Sequence, residues 1–267
     1  NLEPVAGDNF AYVASFVTQS WEGNLEAKQI DLVSGTLASD SDWSAQSKLD
    51  AQVLVTPVPS GASGPGSRKL YSYDASITGT DKKFLLNWTN AVSKGWDGSV
   101  TGKDFFNPNQ LPQCNPLSFC PEASKQNLFE YLMGGTDTTT NKSYRTRLHV
   151  LGDIINTQPL FVKSPSFNYL DTGYDTFKTI SRKAMVYVSS NDGFLHAFDA
   201  TDTANVSNPT AGNEDWAYLP TPMLTNLYEL ANTNYAHRYY ADGPLVGGDI
   251  AVGSNWKTDR KSTRLNS

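Results

Sequence analysis

The stretch "MVYVSSNDGFLHAFDA", Met185 to Ala200, decides how the chain is read. "MVYV" and "FLHAF" are rich in β-branched and aromatic residues, the composition of strands. Asp192-Gly193 between them predicts a type I′ turn, extended by Ser190 and Asn191, because Gly193 takes positive φ without a Cβ penalty. Both faces of the strands are apolar, Val186 and Val188 on one and Met185 and Tyr187 on the other. A strand apolar on both faces belongs inside a stack of sheets.

An echo lies near the start. "WEGNLEA", Trp21 to Ala27, and "NDGFLHA", Asn191 to Ala197, share Gly-x-Leu-x-Ala at Gly23, Leu25, Ala27 and at Gly193, Leu195, Ala197. A strand-like run precedes each copy, "FAYVASFV" and "AMVYVSS". An Asp, a Gly and a Trp follow each: Asp31, Gly35, Trp43 and Asp199, Gly212, Trp216. Recurrence of this kind predicts an all-β fold, a partial β-propeller of four-stranded antiparallel blades with short helical insertions. Each Trp is expected to be an apolar spacer between blades. Two ordinary hairpins of a β-sandwich are the alternative.

Elsewhere, "RKLYSYDAS" and "KKFLLNWTN" predict strands from Lys69 and Lys83. "YRTRLHVLGDIINTQPLFV" and "YAHRYYADGPLVGGDIAVG" predict further β structure. "SKQNLFEYLMGG" predicts a short helix capped by Ser124 and ended by Gly134 or Gly135. "TPMLTNLYELANTN" predicts a helix with Thr221 as cap and Pro222 in the first turn. Residues Trp96–Ala123 read as a loop insertion carrying Cys114 and Cys120. The five residues between these cysteines favour a local disulfide, hence an oxidising compartment. Two thiols in a reduced loop are the alternative.

The 267 residues carry a net charge of −6. The last nine, "DRKSTRLNS", read like a translated library adapter. Residues 1–258 are then one domain and 259–267 a non-native tail, without which Lys plus Arg falls to 18, Asp plus Glu to 26 and the net charge to −8. An acidic chain disfavours nucleic acid and anionic membrane as partners. No apolar run reaches the roughly 18–20 residues of a transmembrane helix.

Three blocks carry a family resemblance: "YRTRLHVLGDIINTQPLFV", "MVYVSSNDGFLHAFDA" and "LPTPMLTNLYELANTNYAHRYYADGPLVGGDI". With them the chain resembles the C-terminal propeller of the PilY/PilC family, exported proteins of the type IV pilus tip. The resemblance implies a role in pilus biogenesis and tip adhesion. The implied partners are minor pilus subunits or a host or abiotic surface, and the implied location is the cell surface or pilus tip. Some members are calcium-regulated through an EF-hand-like loop. No Asp-x-Asp-x-Asp/Asn-Gly run appears here, so no cofactor or metal is expected within these residues and any calcium belongs to the full-length protein. "YLMGGTD", Tyr131–Asp137, lacks Arg-Gly-Asp.

The blade pattern also resembles that of quinoprotein dehydrogenases, the enzyme alternative. Such sites need a calcium, an aspartate base and often adjacent cysteines, and Cys114 and Cys120 are not adjacent. An envelope-assembly scaffold is the structural alternative. No Gly-x-Ser-x-Gly elbow is present, and His149, His196 and His237 are not spaced for zinc. The three histidines read as buried hydrogen-bonding residues. Asp97, Asp104, Asp199 and Asp202 read as loop carboxylates, with an irregular calcium site as the alternative. No catalytic residue is expected. The loops Pro57–Arg68, Trp96–Pro121 and Thr201–Asp215 are the expected binding surface.

Overall fold

A computed structural model describes residues 5–7, 9–56, 59–79, 82–116, 119–139, 141–165, 167–201 and 210–262. The first sheet is an antiparallel meander of β1 (Val5–Gly7), β2 (Phe10–Val17), β3 (Glu22–Gln29) and β4 (Trp43–Ser44). A second meander runs through β7 (Leu160–Val162), β8 (Met185–Ser189), β9 (Leu195–Asp199) and β10 (Glu214–Leu219). It is widened by β5 (Leu70–Tyr73), parallel to β10, and β6 (Lys83–Leu85). β11 (Leu245–Val252) and β12 (Asn255–Ser262) form a separate hairpin. Four residues of the suspected tail, 259–262, lie within β12 and pair with β11; 263–267 lie outside the described residues.

The echoed motif falls at equivalent places in the two meanders. In the first, Ala27 pairs with Tyr12 on one side and Trp43 on the other. In the second, Ala197 pairs with Tyr187 and Trp216. Directly opposed residues share a face, so each alanine opens the space in which a tyrosine and an indole approach. The ring centroids are 5.9 Å apart in the first sheet and 5.8 Å in the second.

The two triplets also face the same way along the stack. Tyr12, Leu25, Ala27 and Trp43 pack with Val186, Val188 and Phe198 of the second sheet. Tyr187, Ala197 and Trp216, on the opposite face of that sheet, pack with Leu245 of β11. The sheets are therefore layered in order, the first on the second and the second on the last hairpin.

The helices differ in part from expectation. α1 (Ala45–Val53) follows β4 directly, its first turn capped by Ser44. α2 (Trp88–Ser93) replaces the end of the strand predicted from Lys83, because Asn87 caps it by accepting from Asn90 N. α3 (Lys125–Leu132) is the predicted helix, capped by Ser124, and Gly134 follows it with φ of 108°. α4 (Tyr174–Lys178) is a single short turn. The segment from Thr221 alternates between 3-10 turns and α5 (Leu224–Leu227), with Pro220 as cap. Thr221 instead donates its hydroxyl to Tyr73 O. Block "YRTRLHVLGDIINTQPLFV" contributes only β7, and Tyr235–Gly243 contains no strand. Their buried polar groups are met by side chains, as the site shows.

Candidate functional site

The turn of the second hairpin is a five-residue loop, Ser190–Phe194, rather than a type I′ turn. Ser190 N donates to Phe194 O and Gly193 N to Ser190 O. Only Gly193 is left-handed, at φ 96°. The Asp192 carboxylate accepts from Phe194 N at 3.0 Å and Gly152 N at 3.2 Å.

Beneath the turn lies a charge cluster that the sequence reading missed. His196 places Nε2 3.1 Å from Asp192 and Nδ1 2.7 Å from Glu214. Glu214 receives a two-pronged bond from Arg68, Nε at 2.7 Å and Nη2 at 2.8 Å. Arg68 also donates to Met133 O and lies over the Phe194 ring. Gln52 bonds both backbone groups of Glu214. Arg68, His196 and Glu214 are all buried. Burial works against the charge on His196, yet Asp192 and Glu214 outweigh it and push its pKa up to about 9. Burial likewise opposes ionised Glu214, but Arg68 and His196 hold its pKa down to about 2. Asp192 is pushed below the usual carboxylate range against its own burial, chiefly by the His196 charge. Two cations and two anions therefore close on one another, which is what charges removed from water require.

Ser190 Oγ lies 3.0 Å from His196 Nε2, and Glu214 sits behind the ring, so the outline is that of a serine hydrolase triad. The chemistry is not. A general base must be neutral near pH 7, whereas His196 is held as the cation. The Ser190 hydroxyl donates to Asp192, and the residue is buried. The cluster ties the turn to β9, β10 and Arg68.

The three sequence blocks meet at this turn. Asn191 Nδ2 donates to Asp153 Oδ2 at 2.8 Å, and Asn191 Oδ1 accepts from Tyr240 N at 2.9 Å. His237 Nε2 lies 2.9 Å from the same Asp153 carboxylate, with the Trp21 indole stacked on its ring. Burial pushes the Asp153 carboxyl up, against the bonds from Asn191 and His237. Glycines permit the approach. A Cβ on Gly23 would stand 2.3 Å from Gly152 O, and one on Gly152 would stand 2.4 Å from Asp192 N. The first hairpin thus presses on residue 152, and residue 152 presses on the second hairpin.

Of the other residues singled out from sequence, Leu25, Ala27, Leu195 and Ala197 lie in the sheets, and Trp43 packs against Gly212 of the second meander. Trp216 is half-buried beside Tyr187. Cys114 and Cys120 are joined as a disulfide, buried in the core of the inserted region and not at the turn. Asp97 and Asp104 face each other in a β-bridge, and Asp104 pairs with Lys125. Asp199 is bound by Thr201, Thr210 and Lys183. Asp202 lies outside the described residues. Among the described residues no group of three or more His, Cys, Asp or Glu is placed to hold a metal, and no helix is long and apolar enough to cross a membrane. His149 pairs with Asp50 at 2.6 Å and is half-buried. Two of the expected loops pack inward: Arg68 ends one of them in the charge cluster, and Trp96 of the next is buried with its indole on Asp74. Residues 57–58, 117–118 and 202–209 of the loops lie outside the described residues.

The fold and site define a sheet-built protein with a buried cluster of paired charges at its second hairpin. The chain is 30% identical over 262 residues to the type IV pilus biogenesis factor PilY1 of Pseudomonas aeruginosa strain PAK, an alignment covering 93% of this chain and 20% of that protein. It is 29% identical over 250 residues to a PilY1 homolog of Xylella fastidiosa strain Temecula1, covering 90% of this chain and 16% of that protein. The chain belongs to the PilY family and spans about a fifth of the curated relatives it matches. No family model matches it, and no solved structure matches it.

Proposed function

We propose that this chain is a segment of a type IV pilus biogenesis factor, and that it works as a non-catalytic protein-binding scaffold built on propeller-like blades. The observation that carries the reading is the twice-used Tyr–Ala–Trp cross-strand triplet, each copy facing the next sheet in one direction. Radial succession of such sheets is what a propeller requires. The names of the curated relatives support the pilus role. The location is then the exported cell surface or pilus tip, and the partners are minor pilus subunits or a surface. Calcium, if it regulates the full-length protein, acts outside this segment.

The test is capture of minor pilus subunits by the complete protein, with pilus assembly scored in a strain lacking it. Recovery of pilin subunits and restored pili are expected. Recovery of envelope assembly factors alone would point to the other scaffold reading. A quinone absorbance in the purified protein would revive the dehydrogenase reading.

A further inference from the structure

A concavity lies beside the segment 144–150, outside the charge cluster. It is a cavity of about 340 Å³ between the end of α1, the end of α3 and that segment. Its rim is apolar and uncovered, with Leu148 77% and Leu54 67% exposed. Its wall carries the cations Lys142 and Arg147, on a chain whose net charge is −6, while Arg145 turns its guanidinium away to Leu230 O, Ser20 O and the Tyr235 ring. The lining carboxylates Asp50 and Asp137 are engaged, the first by His149 and Val150 N, the second by Thr139 and Tyr144 N.

One feature of the lining is out of balance. Tyr144 is 2% exposed, and its buried hydroxyl has no hydrogen-bond partner among the described residues. Burying a hydroxyl unpaired costs about 1–3 kcal/mol, and native proteins rarely tolerate it without a reason. The neighbouring Tyr131, by contrast, donates to Arg145 O at 2.7 Å. Arg147 donates from Nη2 to Tyr131 O and Gly135 O, which anchors its guanidinium at the cavity wall.

We propose that this cavity receives an acidic peptide: a glutamate or aspartate side chain accepts from the Tyr144 hydroxyl and the Arg147 guanidinium while apolar neighbours cover Leu54 and Leu148. The proposal rests on the protein-binding reading above and gives it a site and a partner chemistry. A carboxylate is favoured because it offers acceptors only, whereas a hydroxyl and a guanidinium both bring donors to the same wall.

The probe is a blocked pentapeptide alternating leucine and glutamate, titrated calorimetrically into the full chain, beside analogues with glutamine or lysine in place of glutamate. The glutamate peptide is expected to bind at least tenfold tighter than either analogue. Tyr144→Phe and Arg147→Gln are each expected to weaken it about tenfold. Tyr144→Phe also leaves the melting temperature unchanged or higher, because it removes an unpaired buried group. It therefore keeps the test open if Arg147→Gln fails to fold. Equal binding of the glutamate and glutamine peptides, or full affinity in Tyr144→Phe, would overturn the site. Capture of pilus subunits undiminished in the Tyr144→Phe full-length protein would overturn the site and leave the scaffold reading standing.

Discussion

The two meanders share a frame and differ in what they enclose. Both set an alanine between a tyrosine and a tryptophan on adjacent strands. The first holds its interior with apolar packing, Leu25 and Ala27 being fully buried. The second adds the Arg68–Glu214–His196–Asp192 cluster on its other face. The cation at one end of that cluster comes from outside the meander. Residues 45–144 leave the first sheet, send Arg68 into the second, and lay β5 parallel along β10. The difference teaches that one sheet of a repeat can become the dock for an insertion while keeping the repeat's own packing.

The largest effect should come from breaking that dock. Glu214→Ala leaves Arg68 and His196 buried without their shared anion, and removing one partner of a buried pair costs about 3–5 kcal/mol. Urea unfolding should show this loss. A loss below about 1 kcal/mol would mean that the cluster does not join the insertion to the sheet.

Next comes the pair of tryptophans. Trp43 is 6% exposed and Trp216 is half-buried. Trp43→Ala should cost about 3–5 kcal/mol and Trp216→Ala roughly half as much, since the penalty grows with the volume left empty inside the protein. Equal losses in thermal melts would show that the second indole is as enclosed as the first, and that β11 covers it more fully than its exposure suggests.

A smaller and graded effect separates the sheets by pH. His196 is raised from 6.5 to about 9 in the fold, so its stabilisation is complete below pH 6.5 and drains away as pH rises through 9. Glu214 is lowered from 4.5 to about 2, so its contribution is complete above pH 4.5 and drains away as pH falls toward 2. Stability should therefore be flat between these limbs. The alkaline limb should vanish in His196→Gln. A limb that persisted there would place the titrating group elsewhere.

The smallest expected effect tests the first sheet alone. Ser44 caps α1 by accepting from Ser47 N and donates to Asn24 of β3. Ser44→Ala should cost about 1 kcal/mol, without altering the pH limbs.

Much of the frame is legible because it is local. Alternation, the Gly-x-Leu-x-Ala repeat and the trailing indoles are all set by strand period and cross-strand distance, so a hairpin announces itself within a short stretch. The cap at Ser124 is legible for the same reason. Asp192-Gly193 misleads as a type I′ turn because the loop runs over five residues with only Gly193 at positive φ, and the Asp192 carboxylate is engaged by Phe194 N and by the amide of Gly152, forty residues away. Block "YRTRLHVL" misleads as strand because its extended, alternating pattern is satisfied by Glu22 and Asp50 side chains instead of a neighbouring strand.

By itself, then, the sequence determined the two hairpins, the recurrence of Gly-x-Leu-x-Ala with its trailing indole, and the kinship of the chain. Only the tertiary structure decided that Arg68 and Glu214, 146 residues apart, share a buried site, and that Ser190, Asp192, His196 and Glu214 are gathered beneath one turn. The reason is physical. Period and turn chemistry act between near neighbours and leave marks in the order of residues, whereas the pairing of buried charges depends on which distant segments are pressed together, and that is settled by packing.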